Sequence, residues 1–120
     1  MKYLLIIHMN PEAWDALPEE ERNAVGAEHE SLMAALKESG EFVSTIALAD
    51  PSNSRTVRVR DGVPAVTDGP YLEAKEFLGG YYIVDVESPE RATELAARMP
   101  EARIMGVEVR PVMFEDGLEM

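Results

Sequence analysis

Two histidines, His8 and His29, are the residues of this chain best suited to moving a proton. A free imidazole titrates at about 6.5, so either is the easiest general base near neutral pH. Neither belongs to a metal-ligand spacing, and the plentiful carboxylates form no calcium loop, so no metal is expected. Thiol nucleophiles, disulfides and thiolate sites are excluded, because the chain has no cysteine. A Gly-x-Ser-x-Gly elbow is absent, and Gly79-Gly80 precedes a strand instead of following one as a nucleotide loop does. No cofactor is read from these residues.

Each candidate position has a structural reading beside the chemical one. His29 lies on an apolar helical stripe with Val25, Leu32, Met33 and Leu36. There it is either a packing residue with one hydrogen bond or a general base. Asp68-Gly69-Pro70 is either a turn, with glycine supplying a costly backbone conformation, or a place where Asp68 enters a pocket beside Tyr71 and Lys75. His8 ends the first strand, which is expected to run parallel to a strand at 81–87 and antiparallel to one at 105–113. His8, Asp85, Glu108 and Arg110 then converge at one end of the sheet, as a site or as salt bridges around a dimer rim. Arg55, Arg58 and Arg60 form the one basic cluster, on a hairpin whose edge they keep soluble.

Those positions depend on the elements around them. Residues 2–8 read as a strand, with Tyr3, Leu5 and Ile7 on one face and Leu4, Ile6 and His8 on the other. Asn10-Pro11 stops it and opens a short helical turn through Trp14. Pro18 and three glutamates start a long helix that Gly40 ends as a left-handed cap. A weakly patterned strand over 41–49 and a loop at 50–54 follow. Asp61-Gly62 then joins hairpin arms 56–60 and 63–67, and Pro64 marks an edge. Residues 67–70 form a turn, 71–78 are expected to hold a helical turn, and 81–87 a strand. Ser88-Pro89-Glu90 starts a second helix, with Ala92, Leu95, Ala96 and Met99 inward and Pro100 closing it. Residues 105–113 are the last strand and 114–120 a tail.

The order is strand, helix, strand, hairpin, strand, helix, strand: a single α+β domain with a ferredoxin-like βαββαβ antiparallel sheet and a hairpin insertion. Both helices cover the same face. Leu4, Ile6, Tyr81 and Ile83 on the other face therefore predict a homodimer packed sheet to sheet.

A length of 120 residues, with 46% hydrophobic and 28% charged, suits one globular domain and argues against disorder. Eleven lysines and arginines against 23 acids leave a net charge of −12. Nucleic-acid backbones and anionic membranes repel such a field, so neither is an expected partner. No apolar run approaches the roughly 18 residues of a membrane span. These features suit a cytoplasmic protein.

The run Thr67-Asp68-Gly69-Pro70-Tyr71-Leu72-Glu73-Ala74-Lys75-Glu76-Phe77-Leu78-Gly79-Gly80-Tyr81-Tyr82 resembles the signature of the YCII-related, DGPF-domain family. The opening Met1-Lys2-Tyr3, the hairpin at 56–62 and the stretch Gly106 to Val112 also resemble that family. Tyr71 stands where phenylalanine is usual, Leu72 where alanine is, and Ala74 where threonine is. The resemblance implies a dimeric α+β barrel. It also implies, for some relatives, acid-base chemistry by a histidine of the first helix and an aspartate before a proline after the second. His29 matches the histidine, whereas the residue before Pro100 is Met99. Other relatives are linked to extracytoplasmic-function sigma factors. Tyr82, which closes the signature run, joins Asp68, Tyr71, Asp85, Glu108 and Arg110 as a candidate ligand contact.

Two functions follow as expectations. The first is a homodimer that binds a small molecule, with His29 or His8 available for cofactor-free proton transfer. The second is a regulatory protein whose acidic surface suits a basic protein partner, such as one tied to a sigma factor.

Overall fold

The computed structural model describes residues 1–118; the tail expected over 114–120 is followed to Leu118, and Glu119 and Met120 lie outside the described residues. The elements are strand β1 (Lys2–Met9), helices α1 (Pro11–Asp15) and α2 (Glu19–Ser39), and strands β2 (Phe42–Ala47), β3 (Arg55–Arg60), β4 (Val63–Asp68) and β5 (Phe77–Asp85). Helices α3 (Pro89–Ala97) and α4 (Glu101–Ile104) and strand β6 (Val107–Pro111) complete the chain. A single 3-10 turn at Pro51–Asn53 leads into β3.

Local chemistry sets most of the boundaries. The Asn10 side chain accepts from the Ala13 N–H, and Pro11 occupies the first turn of α1. Three glutamates fill the first turn of α2, and Gly40 closes it at φ 79°, the left-handed region that glycine enters without strain. The Ser88 side chain accepts from the Arg91 N–H at 3.1 Å, with Pro89 next in line. Asp61 and Gly62 both have positive φ, as a two-residue hairpin turn requires.

The main sheet has the order β2-β5-β1-β6, and every neighbouring pair is antiparallel. This is the expected ferredoxin-like arrangement, open at its edges within one chain. The direction of β1 against β5 corrects the expectation that they run parallel. Helix α2 returns the chain so that β2 runs the same way as β1, and β5, turning back beside β2, opposes both. Consequently Lys2 pairs with Asp85, and His8 with Leu78.

The segment 71–78 also departs from expectation. It holds no helix, and its last two residues begin β5 because Phe77 and Leu78 find ladder partners in Met9 and His8. Gly79 and Gly80 therefore lie inside the strand. The register slips between Ile7 and His8, which leaves Gly79 as the unpaired residue of a bulge. A Cβ on Gly80 would stand 2.5 Å from the Ile46 carbonyl oxygen, so only glycine admits β2 this close. The last strand is shorter than 105–113, because α4 follows Pro100 and Gly106 turns at φ 114°.

Tyr3, Leu5, Tyr82 and Val84 face α2 and α3, where Leu32, Leu36, Leu95 and Met99 complete the core. On the opposite side, Ile6 and Ile83 are only 5% and 6% exposed. Phe114 and Leu118 border a cleft with Leu4, Tyr81 and Ile83, although Phe114 itself is 79% exposed, and Lys2 Nζ bonds Glu115 at 2.7 Å. The β3–β4 hairpin does not serve as a lid on that face; it forms a separate two-stranded sheet. Among the described residues no helix is long and apolar enough to cross a membrane.

Two measurements check this account. Gly80→Ala should lower stability by about 2–3 kcal/mol in urea unfolding, because neither backbone nor side chain can yield cheaply to the added methyl. A neutral substitution there would remove the close contact of β2 and β5 from the argument. Glu41 receives two bonds of 2.9 Å from the Arg91 guanidinium, which holds its carboxyl below the usual carboxylate range. The pair's stabilisation is therefore full above the ordinary carboxylate range and fades as pH falls through the lowered value. Arg91→Ala should lower the urea midpoint at neutral pH and lower it less in acid. Equal losses at both pH values would contradict the assignment.

Candidate functional site

His29 comes from the middle of α2, Tyr82 from β5 and Glu101 from the first turn of α4. The helix stripe turns His29 toward the sheet. Strand alternation turns Tyr82 to the helix side, while its neighbours Tyr81 and Ile83 take the other. Pro100 starts the turn that carries Glu101 inward, and the glutamate is only 5% exposed.

Both ring nitrogens of His29 are engaged. Nδ1 lies 2.7 Å from the Tyr82 hydroxyl, and Nε2 lies 2.7 Å from Glu101 Oε2. Burial pushes the Tyr82 phenol up to about 12, and the negative charge of Glu101 adds to the effect. The phenol is therefore neutral at physiological pH, and the tautomer that satisfies all three groups has the phenol donating to Nδ1 and the Nε2–H donating to the Glu101 carboxylate. The chain of donors runs Tyr82 to His29 to Glu101, with the two rings stacked at 5.7 Å. Glu101 Oε1 is buried without a hydrogen-bond partner.

The triad forms one wall of a cavity of about 360 Å³. Ile7, Met9, Met33, Ala47 and the two glycines of the bulge form much of the rest, and no lysine or arginine lines it. Thr45 is the remaining polar group, and its hydroxyl is already donated to the Tyr81 carbonyl. The site can accept or donate a proton beside an apolar molecule. It offers no fixed cation to an anion.

The other candidate residues lie elsewhere. His8 Nε2 bonds Glu108 Oε1 at 2.6 Å, and Arg110 Nε bonds Glu108 Oε2 at 2.7 Å, on the open side of the sheet. These bonds, His8 first, hold the Glu108 carboxyl below the usual range. Asp85 does not join them, contrary to expectation, because the antiparallel direction carries it to the far end of β1. There the Met1 amine bonds it at 2.9 Å and lowers its carboxyl. Asp68 is exposed at the end of β4, opposite Arg55, and Gly69 donates to the Ser54 carbonyl at 2.8 Å to close the hairpin base. Tyr71, 70% exposed, lies under the Arg58 guanidinium at 5.0 Å. Neither lines the His29 cavity. Among the described residues no group of three or more His, Asp or Glu is placed to hold a metal.

Sequence reasoning named His29 and Tyr82 but missed Glu101. The available signal was its place directly after Pro100, one step beyond the proline whose preceding residue is Met99. The turn at Pro100 lets a carboxylate on that side reach the imidazole.

The fold and this centre define a ferredoxin-like α+β domain in which a partly buried histidine bonds a buried carboxylate beside an apolar cavity. The chain belongs to the YCII-related domain family, whose sequence model matches residues 1–115. It is also similar to a protein of Rhizobium meliloti (strain 1021) described as uncharacterized, with 27% identity over 114 residues covering 93% of this chain and 92% of that one.

The proton arrangement has an optical readout. One of the four tyrosines should titrate near 12 in ultraviolet difference spectra. Glu101→Gln should lower that value, since it deletes a negative charge that favours the neutral phenol. All four tyrosines titrating together near 10 would show that Tyr82 is not held as described.

Proposed function

We propose that the protein is a cytoplasmic homodimer that binds a small, uncharged, largely apolar molecule and transfers a proton to or from it at His29. One observation carries this reading: the Tyr82–His29–Glu101 chain forms the wall of an apolar cavity. The cavity is at the small end of ligand pockets, which run from about 300 to 1,000 Å³. Its lack of a cation and its buried carboxylate disfavour phosphates and carboxylates as ligands.

Because both imidazole nitrogens are occupied, the proton passes through the phenol. A ligand O–H or activated C–H gives its proton to the Tyr82 oxygen as the phenol's own proton moves to His29 Nδ1. The resulting imidazolium donates through both nitrogens, and Glu101 stabilises its charge without taking the proton. Reversing the steps returns a proton to the ligand at a second position, which makes isomerisation or elimination the fitting reaction classes.

A screen of uncharged single-ring phenols, ketones and lactones by NMR tests the proposal. Binding should shift the amides of residues 79–82 and the His29 ring. Exchange of a bound ligand's acidic C–H in deuterated water should fall about a hundredfold or more in His29→Ala. Exchange at the wild-type rate in that variant would overturn the proton-transfer role.

A further inference from the structure

Where β2 leaves the sheet, the chain builds a second concave surface that proton transfer at His29 does not use. Residues from 48–57 and from 70–78 line a cleft of about 570 Å³ between the base of the hairpin and the start of β5. Its frame is tied at three points. The Leu48 N–H donates to the Gly79 carbonyl at 2.9 Å, the Gly69 N–H to the Ser54 carbonyl at 2.8 Å, and the Thr56 hydroxyl to the Gly69 carbonyl at 3.0 Å. Leu48, Val57 and Leu78 give the cleft apolar walls, yet they are 45–60% exposed. A neighbouring lobe of about 340 Å³ shares Asp50, Pro70 and Phe77 with it and adds Leu72 and Glu73. Neither lobe shares a lining residue with the His29 cavity.

The charged groups of this cleft are opposite in sign and stand apart. Among the described residues the Arg55 guanidinium makes no ion pair, neither with Asp50 nor with Asp68, its neighbour across the β3–β4 ladder. The Asn53 amide and the Ser54 hydroxyl, which line the same lobe, also bond nothing. Asp50 lies where the two lobes meet. The Ser52 N–H and hydroxyl bond one of its oxygens at 3.0 and 2.6 Å and hold its carboxyl below the usual range, so it is ionised. Glu73 adds a second acid on that side. A simple anion would meet Asp50 and the field of a chain at −12, and a simple cation would meet Arg55. An uncharged hydrophobe would use neither group. A zwitterion with an apolar body answers both charges and carries no net charge into that field.

We propose that this cleft binds a short apolar peptide with free ends, its carboxylate on Arg55 and its ammonium on Asp50 and Glu73. One carbon separates the charges of a free amino acid, whereas the ends of a dipeptide stand far enough apart to meet an arginine and an aspartate that do not reach each other. The planar fork of Arg55 takes a carboxylate through two parallel bonds, and Asn53 and Ser54 offer further donors. The peptide's apolar side chains cover Leu48, Val57 and Leu78. Because the frame is already tied by hydrogen bonds, little of it must be ordered on binding. The site stands beyond the proton transfer proposed above: no bond of the peptide forms or breaks, and the imidazole takes no part.

NMR titration with the dipeptide Leu-Phe should shift the amides of residues 48–57 and 70–78 and leave the His29 ring unmoved. Two capped forms isolate the charges. N-acetyl-Leu-Phe lacks the ammonium and Leu-Phe amide lacks the carboxylate, and each should bind about tenfold more weakly or worse, as expected for one lost charge-assisted contact. Arg55→Gln should weaken Leu-Phe about as much yet leave the affinity of the amide unchanged. Asp50→Asn, which keeps the oxygen that caps the 3-10 turn, should weaken Leu-Phe yet leave the acetylated form unchanged. Both positions are exposed, so neither variant threatens folding. No shift at millimolar peptide would overturn the proposal. So would shifts confined to residues 79–82, or equal binding of the free and capped forms. His29→Ala should bind Leu-Phe like the wild type, so failure of this site and failure of the proton transfer are separable.

Discussion

The approach of β2 to β5 at Gly80 is the constraint on which the site rests. With no side chain at that position, the Ile46 carbonyl settles against the β5 backbone, where a Cβ would stand only 2.5 Å away. That contact ties the return of α2 to the central strands. It thereby fixes the distance between His29 on the helix and Tyr82 two residues further along β5. The neighbouring Gly79 bulge leaves backbone without side chains at the cavity wall, so the same pair of glycines both joins the sheet and leaves room beside the imidazole.

Glu101 makes the site electrostatically unusual. A buried carboxylate in a chain already rich in acids is costly unless it is well bonded. His29 supplies one donor, and the second oxygen has none. The same carboxylate also keeps the Tyr82 proton in place, since a phenolate would stand beside a second negative group. The polar wall thus keeps the Tyr82 phenol neutral beside an imidazole bonded at both nitrogens.

Much of the fold was legible because short-range chemistry decides it. Asn10-Pro11, Pro18 with its glutamates, Gly40, Ser88-Pro89 and Asp61-Gly62 each satisfy orphan backbone groups or a required φ locally, and the elements begin or end there. What escaped was set at long range. The direction of β1 against β5 depends on the path of the whole chain, and an error there carried Asp85 to the wrong end of the sheet. The start of β5 at Phe77 depends on partners 68 residues away, which no local pattern at 71–78 reveals. Of the two site residues on periodic elements, His29 was visible by its helical face, whereas Tyr82 stood out only within the family signature. Glu101 was not, because its inward aim comes from a proline turn that belongs to no repeating pattern.

The separation of partners in sequence also has a kinetic consequence. The β3–β4 hairpin, an arm projecting as its own two-stranded sheet, and α2 are built from neighbours only a few residues apart, so they can form within microseconds of the chain being released. The central pair β1–β5 joins residues up to 83 positions apart, from Lys2 to Asp85, and must wait for a large loop to close. For that interval the arm presents its valines while the rest of the chain is unfinished. Arg55, Arg58 and Arg60, interleaved with Val57 and Val59, then act as gatekeepers. Like charges on every nascent hairpin discourage strand-to-strand stacking among half-folded chains.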